Sequence, residues 1–215
     1  MALPDLSLYL VLDPVLCGGA DGMVSTAVAA AQGGAGIIQL RAPDWKKREL
    51  AACGRALIRA LAPYGVPLVV DDQVDVAMAI GAAGAHVGQK DLPAEDARRL
   101  MGPEAIIGLS VSNAAELEAS RSLAAAGVGD YLGPIESTST KPDAAAPLGL
   151  PGFAALAAVK PCPVVAIGSV KIHNAAALAA AGADGIAVVS AICGTADPRA
   201  ASEALLAAFR SGLKK

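Results

Sequence analysis

The chain reads as an α/β protein, a single (β/α)8 TIM barrel over residues 1–215, and three observations carry that reading. Short apolar runs alternate from end to end with alanine-rich amphipathic stretches. Eight such pairs can be counted. No linker, charge block or low-complexity tract divides them, so consecutive βα units close most simply into one barrel. An open doubly wound sheet is the alternative, but no GxGxxG turn opens the first helix.

The elements follow in order. Leu6 to Asp13 is an apolar strand closed by a carboxylate, and Gly22 to Gln32 is the helix after it. Gly36 to Arg41 and Asp44 to Ala62 form the second pair, Pro67 to Asp72 and Val74 to Ile80 the third. Ala85 to Gln89 leads to the helix Ala94 to Leu100, and Ala105 to Val111 to the helix Asn113 to Ala126. The last three pairs are Asp130 to Ile135 with Pro151 to Val159, Pro163 to Gly168 with Ile172 to Ala180, and Gly185 to Ser190 with Pro198 to Phe209. A weak repeat supports this division. AAQGGAGIIQLR, IGAAGAHVGQ, AAAGVGDYLG and AAAGADGIAVV each pass from a helix end through glycine into strands two, four, six and eight. Glycine suits that turn because it accepts the left-handed conformation that closes a helix.

Composition narrows the function classes. The 54% hydrophobic content allows a sizeable core, while 3% aromatic residues leave little for stacking on bases. A net charge of −3 and a pI near 5.4 give no general attraction to nucleic acid or an anionic membrane. An anionic ligand must therefore be held by a local group of residues. Cys17, Cys53, Cys162 and Cys193 lie far apart with no Cys-x-x-Cys pair, which reads as four buried thiols in a reducing compartment. The first residues carry no basic leader and no span-length apolar run, so the expected location is cytoplasmic.

Reactive groups of a parallel barrel stand at the C-terminal ends of its strands, so polar residues closing the apolar runs are the informative ones. Gln39 and Arg41 are two apart in IIQLR and share one side of strand two. Arg41 can grip a phosphate with its planar fork or enter an ion pair at the rim. VVDD and GQKD bring Asp71, Asp72 and Asp91 to neighbouring strand ends, and hard carboxylate oxygens suit magnesium. Asp72 and Asp91 are the expected metal ligands, with helix capping as the other use of such aspartates. His86, three residues before Gln89, is expected to face away from it as a packed core histidine, and His173 to be exposed at a helix start. These two histidines support neither a nucleophilic triad nor a zinc hydrolase.

The polar run PIESTSTKPD after strand six carries Thr138, Thr140 and Lys141, all donors to anionic oxygen. Gly168, Ser169, Val189 and Ser190 follow the last two strands, where this fold commonly cradles phosphate on backbone N–H groups.

LYLVLD, IIQLR, VVDDQVDVA, AHVGQKDLP, IGLSVS, STSTKPD, PVVAIG and GADGIAVVSAI occur together, and in that order the set resembles the thiamine phosphate synthase family across nearly the whole chain. The resemblance implies a transferase that joins hydroxymethylpyrimidine diphosphate to hydroxyethylthiazole phosphate with Mg2+, releasing pyrophosphate. It implies that Gln39, Arg41, Ser110 and Lys141 contact the diphosphate substrate and that Asp72 and Asp91 hold magnesium. Thr138, Thr140, Ser169, Val189 and Ser190 would then receive the thiazole phosphate. Small phosphorylated molecules are the implied partners.

The chain departs from the family pattern at the rim. Pro43 stands where lysine is usual and Asp71 where asparagine is usual, which makes the diphosphate end more negative. The strand-six segment is about two residues shorter than the family pattern, and Glu136 replaces an apolar or aromatic residue. Ser169 replaces the second glycine of a pair, so a positive φ there would strain the turn. Two alternatives accompany the departures. One is an isomerase akin to the thiazole tautomerases, whose members tend to carry histidine where this chain has Ser112. The other is a barrel that binds a phosphorylated ligand without catalysis.

Overall fold

The structure, a computed structural model, describes residues 4–124, 128–132 and 149–213. Eight strands run parallel: β1 (Leu8–Leu12), β2 (Ile37–Leu40), β3 (Leu68–Asp71), β4 (Gly84–Val87), β5 (Ile106–Val111), β6 (Val128–Leu132), β7 (Val164–Ile167) and β8 (Gly185–Val188). Each pairs with the next in chain order. β8 pairs back onto β1, with Tyr9 opposite Ala187, so the sheet is closed. The architecture is thus α/β with a parallel sheet of TIM-barrel type.

Helices α2 (Ala20–Gln32), α3 (Lys47–Leu61), α4 (Val74–Ile80), α5 (Ala94–Met101), α6 (Ala114–Ala124), α7 (Gly149–Ala157), α8 (Ile172–Ala180) and α9 (Pro198–Ser211) separate the strands or follow the last. The alternation of strand side chains explains how they attach. Leu8, Leu10, Leu12, Ile38, Leu40 and Val70 face outward into one core with helix residues such as Met23, Leu57, Phe153 and Phe209. Their neighbours Tyr9, Val11, Ile37, Val69, Ile106, Val165 and Ala187 form a second cluster inside the barrel.

Two strand-opening glycines let backbones approach. A Cβ on Gly84 would lie 1.9 Å from the Ile106 carbonyl oxygen, and one on Gly185 would lie 1.7 Å from that of Leu6. Both contacts are impossible for any other residue.

Several sequence expectations need correction. A short helix, α1 (Pro14–Cys17), precedes α2, because Asp13 leaves the strand and its Oδ1 accepts the Leu16 N–H at 2.9 Å with Pro14 in the first turn. β4 ends at Val87 instead of Gln89, and β8 at Val188 instead of Ser190. The last polar residues of these runs belong to turns. Of the cysteines, Cys53 and Cys193 are buried while Cys17 and Cys162 are half-buried, and none is in a disulfide. No helix among the described residues is long and apolar enough to cross a membrane.

Candidate active site

Strand parity selects what faces the barrel mouth. On β2 the inward series is Ile37, Gln39 and then Arg41, and on β3 it is Val69 and Asp71. Gln39 is buried and its Nε2 donates to the Tyr9 hydroxyl at 2.8 Å, so the tyrosine inside the barrel fixes the amide. Arg41 Nε lies 3.2 Å from Asp71 Oδ2, with both side chains largely shielded. This ion pair answers the charge that Asp71 brings. The carboxylate is matched by a guanidinium on the neighbouring strand, so Arg41 is both an ion-pair partner and a cation at the mouth.

His86 pairs in register with Asp71 on one side and Gly108 on the other. Its Nε2 lies 2.9 Å from Ser110 Oγ, and Gln89 Nε2 donates to the Ser110 carbonyl oxygen at 2.6 Å. The expectation that His86 faces away from Gln89 fails here. β4 has already ended, strand alternation no longer governs Gln89, and both side chains converge on Ser110. His86 and Tyr9 are therefore site-forming residues that strand alternation could have located, since each shares the inward parity of its strand. His173 is exposed in the first turn of α8, as its position in the sequence suggests.

Asp72 directly follows β3, and Asp91 lies in the turn after β4. Asp72 has φ 57, a left-handed conformation that aspartate tolerates, and its N–H donates to the His86 carbonyl oxygen at 2.8 Å. Asp91 is exposed, and its Oδ2 accepts the Gly88 N–H at 2.9 Å. A Cβ on Gly88 would lie 2.8 Å from that oxygen, so glycine makes room for the carboxylate. Among the described residues no group of three or more His, Cys, Asp or Glu could hold a metal by itself. Two carboxylates leave the remaining coordination positions to water and substrate oxygens, which is how magnesium is commonly held beside phosphates.

The opposite part of the mouth is built from turns. Gly168 has φ 104 and Ser169 has φ 46, so the serine does occupy a left-handed position. Asn174 holds this turn: its Nδ2 donates to the Ser169 carbonyl oxygen at 3.2 Å while its Oδ1 accepts the Lys171 N–H at 2.8 Å. Half-buried Val189 directly follows β8, and its carbonyl oxygen accepts from Ile192 and Cys193 N–H groups. Ser190 is exposed, with its Oγ accepting from Lys171 Nζ at 3.0 Å. Glu136, Thr138, Thr140 and Lys141 lie outside the described residues.

A family model described as thiamine monophosphate synthase matches residues 8–192. The chain belongs to that family. Among similar proteins, the thiamine-phosphate synthase of Laribacter hongkongensis is 55% identical over 205 residues, covering 94% of this chain and 95% of that protein. The thiamine-phosphate synthase of Azorhizobium caulinodans is 48% identical over 203 residues, covering 94% and 93%. A solved structure of thiamine phosphate pyrophosphorylase from Pyrococcus furiosus superposes with a TM-score of 0.84 at 34% identity, covering 98% of each chain. The family match thus spans both parts of the mouth, from β1 through Ser190.

Proposed function

We propose that this chain condenses hydroxymethylpyrimidine diphosphate with hydroxyethylthiazole phosphate to give thiamine phosphate and pyrophosphate. The observation that carries the reading is the family match over residues 8–192, which contains Arg41, Asp72, Asp91 and Ser110 at one part of the mouth and Ser169 and Ser190 at the other. The working unit is a complete (β/α)8 barrel acting as one domain, cytoplasmic and dependent on magnesium. The tautomerase-like and non-catalytic alternatives are not favoured by relatives that are named thiamine-phosphate synthase.

In this reading the bond between the pyrimidine methylene carbon and the diphosphate oxygen breaks, and its electron pair leaves with pyrophosphate. The thiazole nitrogen then forms the new C–N bond to that carbon. Arg41, whose guanidinium is held at the mouth by Asp71, meets the growing charge on the leaving group. Ser110, oriented by His86 and Gln89, and Gln39, oriented by Tyr9, present fixed polar groups to the pyrimidine substrate. Asp72 and Asp91 would hold magnesium, which when bound supplies positive charge against the diphosphate. Lys141 would add a cation to the same substrate, and Thr138 and Thr140 would join Gly168, Ser169, Val189 and Ser190 around the thiazole phosphate. No enzyme nucleophile is required.

The test is direct. Purified protein with both substrates and magnesium is expected to release pyrophosphate together with thiamine phosphate, and chelation is expected to stop it. Absence of product under conditions in which the Laribacter hongkongensis enzyme turns over would overturn the reading.

A further inference from the structure

Lys171 stands where a lysine is electrostatically out of place. It is the N-cap of α8, where the backbone N–H groups already create partial positive charge and where acidic or neutral capping groups are favoured. Its side chain cannot accept a helix N–H. The capping work falls to Asn174, which reaches back to the Lys171 N–H and also holds the Ser169 carbonyl oxygen. The lysine side chain instead crosses from the turn after β7 to the turn after β8 and donates to Ser190 Oγ.

Two other lysines are tied to carboxylates. Lys160 Nζ lies 2.5 Å from Asp184 Oδ2, and Lys47 Nζ lies 2.6 Å from Asp75 Oδ2. Each is a tether between two elements. Among the described residues Lys171 has no carboxylate within ion-pair distance, and its neighbour Ser190 is neutral. An ammonium has three donors, so at least two remain for a ligand or water. A cation added to a helix N-terminus, beside two small hydroxyl residues and a glycine turn, favours an anion with several oxygens.

We propose that Lys171 binds the phosphate of the thiazole substrate and makes the enzyme select the phosphorylated thiazole over its free alcohol. This rests on the reaction proposed above. The ammonium leaves Ser190 for the phosphate, and the freed Ser190 hydroxyl donates to the same group. Lys171 acts on binding of this one substrate and takes no part in breaking the diphosphate bond.

The experiment compares the wild-type protein with Lys171→Met and Lys171→Arg. Steady-state kinetics of Lys171→Met should show KM for the thiazole phosphate raised about tenfold or more, KM for the pyrimidine diphosphate within about twofold, and kcat little changed. Preference for the thiazole phosphate over the alcohol should fall by the same factor, and Lys171→Arg should recover most of it. An unchanged thiazole phosphate KM, or a parallel rise for both substrates, overturns the proposal. A second arm requires no turnover: calorimetric titration with thiazole phosphate alone should weaken about tenfold in Lys171→Met. A wild-type protein that binds the thiazole phosphate through Lys171 yet makes no product would refute the reaction while upholding the role of Lys171. Wild-type affinity retained in Lys171→Met, or no wild-type binding at all, refutes that role whatever the turnover.

Discussion

The ends of β2 to β5 and the turns after β7 and β8 prepare for an anion in different ways. The first region is made of side chains on strand ends and the turns just after them, and it is rich in carboxylates: Asp71 is already paired with Arg41, and Asp91 is held by the Gly88 N–H. A polyanion arriving there meets one guanidinium and several negative oxygens, so it must bring or recruit another cation. The second region is made of backbone turns and small hydroxyls, with Lys171 as a cation facing no carboxylate among the described residues. A single phosphate can settle there at the cost of the neutral Lys171–Ser190 hydrogen bond and of no Lys171 ion pair. The Asp71 charge is matched by Arg41 within the protein, whereas Lys171 meets the neutral Ser190 hydroxyl.

The largest expected effect breaks the first region alone. Arg41→Ala and Asp91→Ala are each expected to lower kcat/KM by about 100-fold or more in a pyrophosphate-release assay, the size typical of losing one fixed electrostatic contact to a leaving group. Normal kinetics in both would show that the carboxylate-rich region is structural only.

The seam between the second region and β1 can be probed by thiol chemistry. Cys193 Sγ donates to the Val11 carbonyl oxygen at 3.6 Å, and its proximity brings the Cys17 thiol down to about 7 while Cys193 itself is pushed upward; burial pushes Cys53 up to about 11. At pH 8 Cys17 is then mostly thiolate and Cys53 mostly thiol. Iodoacetamide labelling read by peptide mapping should modify Cys17 at least about tenfold faster than Cys53, with the Cys17 rate half-maximal near pH 7 and levelling off about one pH unit higher. Equal rates would mean that the Cys17–Cys193 contact is not maintained in solution.

A smaller effect sharpens the electrostatic contrast. Asp71→Asn releases Arg41 from its ion pair and removes one negative charge from the first region. KM for the pyrimidine diphosphate should fall about fivefold, equivalent to about 1 kcal/mol, with KM for the thiazole phosphate unmoved. A fall in both would deny that the regions act separately.

The smallest effect concerns the second region's backbone. Ser169 at φ 46 carries left-handed strain that glycine would relieve, offset in part by glycine's greater entropy when unfolded. Ser169→Gly should raise stability by about 0.5–1 kcal/mol, or about 2 °C in thermal melting. A lower Tm would show that the serine side chain contributes more than its backbone costs.

Much of this was legible in the residues. Val74–Ile80 and Ile172–Ala180 coincide with the expected helices because clear strand ends precede them and a glycine or a helix-final alanine follows. The shared face of Gln39 and Arg41 follows from a period of two. The place of His86 relative to Gln89 is not legible from that period, because β4 stops at Val87 and alternation does not extend into the turn. α1 leaves no periodic trace because four residues are too few for one, although Asp13 followed by Pro14 is a start signal.

By itself, the sequence determined the number and order of strands, the polar residues near their ends and the family to which the chain belongs, since periodicity and local motifs are properties of neighbours along the chain. Tertiary structure alone decided that Arg41 finds Asp71, that His86 and Gln89 meet on Ser110, and that Lys171 reaches across to Ser190. Those contacts join residues on different βα units. Barrel closure and the exact point at which each strand stops place them within reach, and neither is written in any one segment.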